Sequence, residues 1–409
     1  MNDFAPANSG DSSKETTYVS TAPTPLRVVL VADDQALRCY GPVLRRMAVG
    51  LLDEVSDLSL LSLGPSPLLR HIPSPPVRVI TETKHYQQLS PRSDITARQT
   101  SISAPPIGLF DKIVPKRRVL RIAEILSYYK PVLLHALSER QFQLTRDLSR
   151  QLEINYVVSI LGLKPRETVF SDPNCGALLC CHSQQTRLIR QKKSFPSDRV
   201  HILPIGTHVA AESCCFGQER KITNLFCCSK LEKNHGLSDL INVVQTLTEK
   251  GRHLRLFISG QGSAEYKLRK QVAMLKLQAQ IHFVPPIEQM VSASDAFKAL
   301  FQDTDIFIQP WRSEHWQPEL LEAMSVGNAV IVTESPGNDL IIDGQTAAVV
   351  PFQDESALKN ALDRMLQDHD YARTLAKNAQ QHLRKHFLAS RMISRLAKTY
   401  HQIVNLNKS

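Results

Sequence analysis

From Asn224 to Pro351 the chain repeats one pattern: a short apolar run, then a longer stretch with apolar residues on one helical stripe. LFCCSK precedes LSDLINVVQTLTEKG, where Leu237, Leu240, Ile241, Val244 and Leu247 share one side of a helix. LRLFISG, a helix from Ala264 to Leu277, IHFVPP, a helix near Phe297, DIFIQP, a helix around Leu320, AVIVT and AAVVP continue the series. Strands apolar throughout and separated by helices belong to parallel sheets covered on both faces, so this half reads as a complete doubly wound α/β unit.

The first half carries the same pattern less regularly. LRVVLVADD reads as a buried strand, GPVLRRMAVGLLDEV as a helix with Val43, Leu44, Met47, Leu51 and Leu52 inward, and LSLLSLG as a second strand. Prolines 65, 67, 73, 75 and 76 imply long irregular loops. VLLHAL, ERQFQLTRDLSRQL and YVVSILG then alternate strand, helix and strand, and ALLCCHSQQTRLIR reads as a connector to VHILPIG. Residues 1–25, rich in Ser, Thr, Asn, Pro and Ala, read as a disordered lead-in. The expected domains are 26–205, 206–385 and a C-terminal helix over 386–409 that packs back on the first domain, with Met392, Leu396, Tyr400 and Ile403 on one side. Two such units in tandem leave a cleft between the carboxyl edges of their sheets, where open α/β sheets bind ligands.

Composition removes several alternatives. With 409 residues, 42% apolar and 22% charged, the chain is an ordinary globular protein of two or three domains. No stretch reaches the roughly 18 apolar residues of a membrane span, and no basic, apolar leader opens the sequence, so a cytoplasmic protein is expected. The eight cysteines form neither CxxC nor zinc spacing and read as buried reduced thiols. A net charge of +10 favours acidic partners. Its densest basic segment, Lys112 to Lys130, offers either a peripheral helix for an anionic membrane or an ordinary surface helix with Val119, Leu120, Ala123, Ile125 and Leu126 turned inward. Nucleic acid is not an expected partner, since no motif interleaves aromatics with the basic residues.

The chemistry concentrates in SEHWQPELLEAMSVGNAVIVTESPGNDLIIDGQTAAVVP, residues 313–351. Glu314 lies on a loop, and Glu322 follows at the start of a helical run that Gly327 ends. The amino end of a helix can hold a diphosphate on its backbone N–H groups, and flanking carboxylates can accept hydrogen bonds from sugar hydroxyls. This segment resembles the retaining family 4 glycosyltransferases of the GT-B fold, whose donor domain carries two glutamates separated by seven residues and then an Ala-Met-Ser/Ala-x-Gly helix. LFCCSKLEKNHGLSDLI, LRLFISGQG, DIFIQPW and GNDLIIDGQTAAVVPFQD resemble further family segments in order, and LRVVLVADD with Gly41, PVLLHAL, INYVVSILG and RVHILPIG echo its acceptor half.

The resemblance implies a GT-B fold, two Rossmann-like domains facing across a cleft. It implies transfer of a sugar from a nucleoside diphosphate sugar to a hydroxyl of a glycan or lipid-linked acceptor, without cofactor or metal. Glu322 would bind the ribose and Glu314 the donor sugar. His315, Trp316 and Gln317 would offer backbone groups to sugar and β-phosphate, and Gly260 and Gly262 would let the chain approach the base. Lys230, at the family's arginine position, and His235, at its lysine position, would neutralise the leaving diphosphate, with Lys233 nearby. On the acceptor side the implied residues are Gly41 and His135, the latter either facing the cleft or structural. The Asp303–Thr304–Asp305 triplet is read as structural, because Asp305 opens an apolar strand. Four departures are visible: Lys230 for arginine, His235 for lysine, Gln317 for glycine, and Leu161 for a histidine that often precedes Gly162. The sequence therefore leaves a second reading open, a weak or non-catalytic relative that binds nucleotide, glycan or partner enzymes.

Overall fold

The computed structural model describes residues 25–33, 36–37, 47, 49–63, 77–81, 115–162, 172–191, 195–217, 221–286, 299–312, 317–335 and 339–406. Glu314, His315, Trp316, Gly41, the lead-in and the stretch around Phe297 lie outside these residues.

Two sheets form, and every strand pairing in them is parallel. The first contains β1 (Arg27–Ala32), β2 (Asp57–Ser62), β3 (Arg78–Thr81), β4 (Leu133–Ala136), β5 (Asn155–Ile160), β6 (Cys175–Cys180) and β7 (Val200–Ile202), in the order β3-β2-β1-β4-β5-β6-β7. The second contains β8 (Thr223–Cys228), β9 (Leu254–Ser259), β10 (Ile281–Val284), β11 (Ile306–Gln309), β12 (Ala329–Thr333) and β13 (Ala348–Val350), in the order β10-β9-β8-β11-β12-β13. The fold is GT-B: two parallel-sheet α/β units, each with a topological switch, at β1/β4 in one and β8/β11 in the other.

The apolar runs are continuous because each strand feeds two cores. In β1, Val28, Leu30 and Ala32 join one buried cluster while Val29 and Val31 join another on the opposite face. In β11, Phe307 enters the first of these clusters, whereas Ile306 and Ile308 enter a third with helix α4 (Leu237–Glu249). The predicted stripe of that helix is fully buried at Leu237, Leu240, Ile241, Val244 and Leu247.

Helix α1 (Pro115–Ser127) turns Ile122, Ala123 and Leu126 into the core, with Val119 and Ile125 packed beside them. Leu120, expected inward, is 52% exposed. Helix α2 (Phe142–Leu152) matches its expected span. The expected connector between β5 and β7 is instead β6 and helix α3 (Ser183–Gln191). Periodicity hides this helix because its buried face includes Gln185 and Thr186 beside Ile189. Gln185 belongs there: its Nε2 donates to Gly162 O at 2.9 Å and its Oε1 accepts from His182 N at 2.9 Å. Strand β3 was not legible among its flanking prolines.

After β9 comes α5 (Glu265–Met274), after β11 comes α6 (Pro318–Val326), and after β13 come α7 (Glu355–Gln367) and α8 (His369–His386). Helix α9 (Ala389–Leu406) then returns to the first sheet. Met392, Leu396, Tyr400 and Ile403 are buried there, and Gly176 on β6 admits the helix: a Cβ at that glycine would lie 2.6 Å from Ile403 Cγ2.

Candidate active site at the second sheet's switch point

Strands β8 and β11 are neighbours whose following segments depart to opposite sides, so a crevice opens at their carboxyl ends. The segment after β8 is pinned. Ser229 N donates to Ser259 O at 2.9 Å, Leu231 N to Gln261 O at 3.1 Å, and Glu232 N to Lys230 O at 2.9 Å. Gly236 closes it with φ +65°, and a Cβ there would lie 2.2 Å from Pro310 O. The loop thus rests on the end of β11, and it presents Lys230 and Lys233 to solvent.

His235 is the better-ordered of the cationic candidates. Its Nδ1 is 3.0 Å from Ser229 Oγ, and its ring stacks on Trp311 at a centroid distance of 6.1 Å and an angle of 15°. Ser229 Oγ also lies 2.8 Å from Lys230 O, and a hydroxyl has one proton to give. If that proton goes to the carbonyl, Nδ1 carries its own hydrogen and donates it to the hydroxyl. Nε2 is 3.7 Å from the Glu232 carboxylate.

Gly260 and Gly262 have a role the sequence did not disclose. A Cβ at Gly260, where φ is +152°, would lie 1.8 Å from Ser229 O, and one at Gly262 would lie 2.4 Å from Leu231 O. What approaches these glycines is the backbone of the basic loop itself, so they seat the β9 turn against it.

Helix α6 begins at this edge with Pro318 in its first turn and ends at Gly327 in the left-handed region. Gln317 precedes it in extended geometry and does not cap it. The Gln317 side chain is 8% exposed, and its Oε1 is buried without a hydrogen-bond partner among the described residues. Glu322 lies in the second turn, 3% exposed, and its Oε1 accepts a hydrogen bond from Thr207 Oγ1 at 3.0 Å. Beside the helix, Arg312 pairs with Glu334 and sits 5.3 Å from the centre of the Phe352 ring. Sequence reasoning missed Ser229, Trp311, Thr207 and this ion pair. Trp311 was visible in DIFIQPW, but Thr207 has no local signal linking it to a residue 115 positions away.

The edge of the first sheet is different. Asp33 accepts from Ala36 N at 2.8 Å and from Gln141 Nε2 at 2.7 Å. The Glu139 carboxylate accepts from Leu161 N at 3.0 Å and Gly162 N at 3.1 Å. Leu161 itself is buried in the core and adds no polar group to the cleft. His135 does not face the cleft either. It is 1% exposed, with Nδ1 2.6 Å from Tyr400 Oη and Nε2 2.9 Å from Ser159 Oγ, and burial lowers its pKa to about 3. It is a neutral tie between β4, β5 and α9.

Asp305 is structural as expected: its carboxylate accepts from Phe216 N at 3.1 Å and Asn224 N at 2.9 Å. The seven cysteines among the described residues are free thiols, and burial pushes Cys175 up to about 12 and Cys180 up to about 11. Both are therefore unreactive at neutral pH. Among the described residues, Ser183, opening α3, reaches across to the second unit: its N and Oγ donate to the two Asp339 oxygens at 2.7 Å each.

Residues 219–382, which span the second sheet, match the family Glycosyl transferases group 1. A lipopolysaccharide core biosynthesis mannosyltransferase, LpcC of Rhizobium leguminosarum bv. viciae, is 24% identical over 189 residues, 45% of this chain and 52% of that protein. The chain thus spans about half the length of this relative. Among solved structures, a glycosyltransferase from Rickettsia africae superposes with a TM-score of 0.69 at 14% identity, covering 93% of this chain and 99% of that one. Anabaena Alr3699/HepE in complex with UDP and glucose superposes with a TM-score of 0.67 at 14% identity, covering 91% and 99%. At such identities the likeness establishes the architecture.

Proposed function

We propose that the chain is a retaining, metal-independent glycosyltransferase that moves a hexosyl group from a nucleoside diphosphate sugar to an acceptor hydroxyl in glycan or glycolipid biosynthesis. The observation that carries this reading is that the loop bearing Lys230 and His235 and the amino end of α6, behind which Glu322 is buried, both follow the carboxyl ends of the neighbouring strands β8 and β11. A departing diphosphate gathers negative charge, and fixed cations with helix N–H groups stabilise charge at that stage of the reaction. The bond from the sugar's anomeric carbon to the diphosphate oxygen breaks and its electron pair leaves with the phosphate. The acceptor oxygen bonds the carbon from the same face, and its proton passes to the departing phosphate oxygen. Glu322 holds the ribose and Glu314 the sugar. HepE was crystallised with UDP and glucose, and LpcC is named for mannose transfer to a lipopolysaccharide core, which supports a sugar nucleotide as donor and a glycan as acceptor.

We also infer a peripheral membrane site at the cytoplasmic face. Leu120 and Tyr128 of the α1 region are exposed beside Lys116, Arg117 and Lys130, so co-sedimentation with anionic vesicles is expected and binding to neutral ones is not. A non-catalytic relative is the second reading, favoured by the burial of Leu161 where the family often has a cleft histidine.

Thermal titration with UDP, GDP, ADP and their sugar conjugates tests the donor site. One nucleotide should raise Tm in the native protein and leave Glu322→Ala unchanged. No shift with any nucleotide sinks the donor reading. Binding without turnover across an acceptor panel supports the second.

A further inference from the structure

The two places where the chain passes between the units lie side by side. Thr207, after β7, donates its N–H to Phe387 O at 2.8 Å, and Ala389 N donates back to Thr207 O at 3.0 Å, so the residues flanking Leu388, between α8 and α9, form a parallel bridge with it. The approach is close: a Cβ on Gly206 would lie 2.6 Å from Leu388 O and 2.7 Å from Ala389 N. Gly206 N also lies 3.3 Å from Met392 Sδ on α9. Any rotation of one unit against the other pivots here, because both connections are joined at this point.

Thr207 is fully buried, and its side chain faces away from the bridge toward α6. The hydroxyl is 3.0 Å from Glu322 Oε1 and 3.5 Å from the carbonyl of His208. An ionised carboxylate accepts only, and the shorter contact to charge is the stronger, so the Thr207 proton goes to Glu322. Removing that donor would take a hydrogen bond from a buried carboxylate.

We propose that Thr207 is a positioning residue: it orients the Glu322 carboxylate from the interdomain crossing and so couples the donor pocket to the pivot. This rests on the donor reading of Glu322. A ligand hydroxyl that binds Glu322 acts on a group already tied to the hinge, and by linkage the hinge position alters affinity for that ligand.

Three measurements test it. In calorimetric titrations with the nucleotide that binds the native protein, Thr207→Val should weaken affinity about tenfold, and Thr207→Ser, which restores the hydroxyl, should bind within about twofold of native. In ligand-free protein, the Tm loss caused by Thr207→Val should largely disappear in a Glu322→Leu background, as a double-mutant cycle requires of a direct pair. Hydrogen exchange at Thr207 and Ala389 amides should quicken in Glu322→Leu relative to native, while exchange in β5 stays unchanged. Native-like nucleotide affinity in Thr207→Val, additive Tm losses, or unchanged exchange at the crossing would each overturn the proposal. Absence of nucleotide binding to native protein would instead overturn the donor reading, and the cycle and the exchange experiment would still decide the Thr207 link.

Discussion

The two carboxyl edges of this molecule are built from the same strand order and use their polar groups in opposite ways. At the first edge, Asp33 and Glu139 are bound to backbone N–H groups and to Gln141 of their own unit, and Leu161 turns inward. At the second edge, glycines press the β9 turn onto a basic loop whose Lys230 and Lys233 project outward. One edge ties its carboxylates into its own fold and the other presents cations on a loop held in place by rigid backbone, as a site for an anionic ligand requires.

The strongest way to break this comparison is Gly260→Ala. With φ at +152° and Ser229 O 1.8 Å from the new Cβ, the expected cost is about 3 kcal/mol or more, read as a large fall in Tm. Gly344→Ala is the control: φ is +67°, but nothing lies within 4 Å of its Cβ, so a loss of about 1 kcal/mol is expected from the left-handed backbone alone. Equal losses in the two would remove the argument that the β9 turn is seated by close approach.

On the proposed donor reading, which sets the His235 imidazole against the outer phosphate, His235→Ala should weaken nucleoside diphosphate binding about tenfold and nucleoside monophosphate binding far less. Equal weakening for both would place His235 away from it. Glu139→Gln sharpens the contrast from the other side. It should lower stability by about 1 kcal/mol through the loss of charge-assisted bonds to Leu161 and Gly162 N–H, with nucleotide affinity unchanged.

The last effect is a pH dependence. His135 is neutral in the folded core, with a pKa lowered to about 3, while in the unfolded chain it takes a proton near its ordinary value of 6.5. The unfolded state therefore binds more protons below about 6.5, and stability falls as pH drops from 7 toward 5. His135→Asn, followed by urea unfolding at several pH values, should show a shallower fall than native. A slope identical to native would mean that His135 takes up its proton equally in the folded and unfolded states.

The doubly wound second half was legible because burial on both faces writes itself as uninterrupted apolar strands and striped helices: LFCCSK, LRLFISG and AVIVT became β8, β9 and β12. The α9 stripe of Met392, Leu396, Tyr400 and Ile403 was legible for the same reason. Helix α3 was not, because it buries Gln185 and Thr186, whose partners are supplied by Gly162 and His182. His135 shows the same limit at the site, since whether a histidine faces the cleft or the core turns on Tyr400, which lies 265 positions along the chain.

Sequence by itself thus determined the layer architecture, the glycine positions and the run of residues around Glu322, all of which follow from local periodicity and backbone geometry. Tertiary structure alone decided which polar groups are available. It bonded Asp33, Glu139 and His135 into the fold, and it set Thr207 on Glu322 where the two units join. Hydrogen-bond satisfaction is a property of what surrounds a group in space, and those neighbours come from distant parts of the chain.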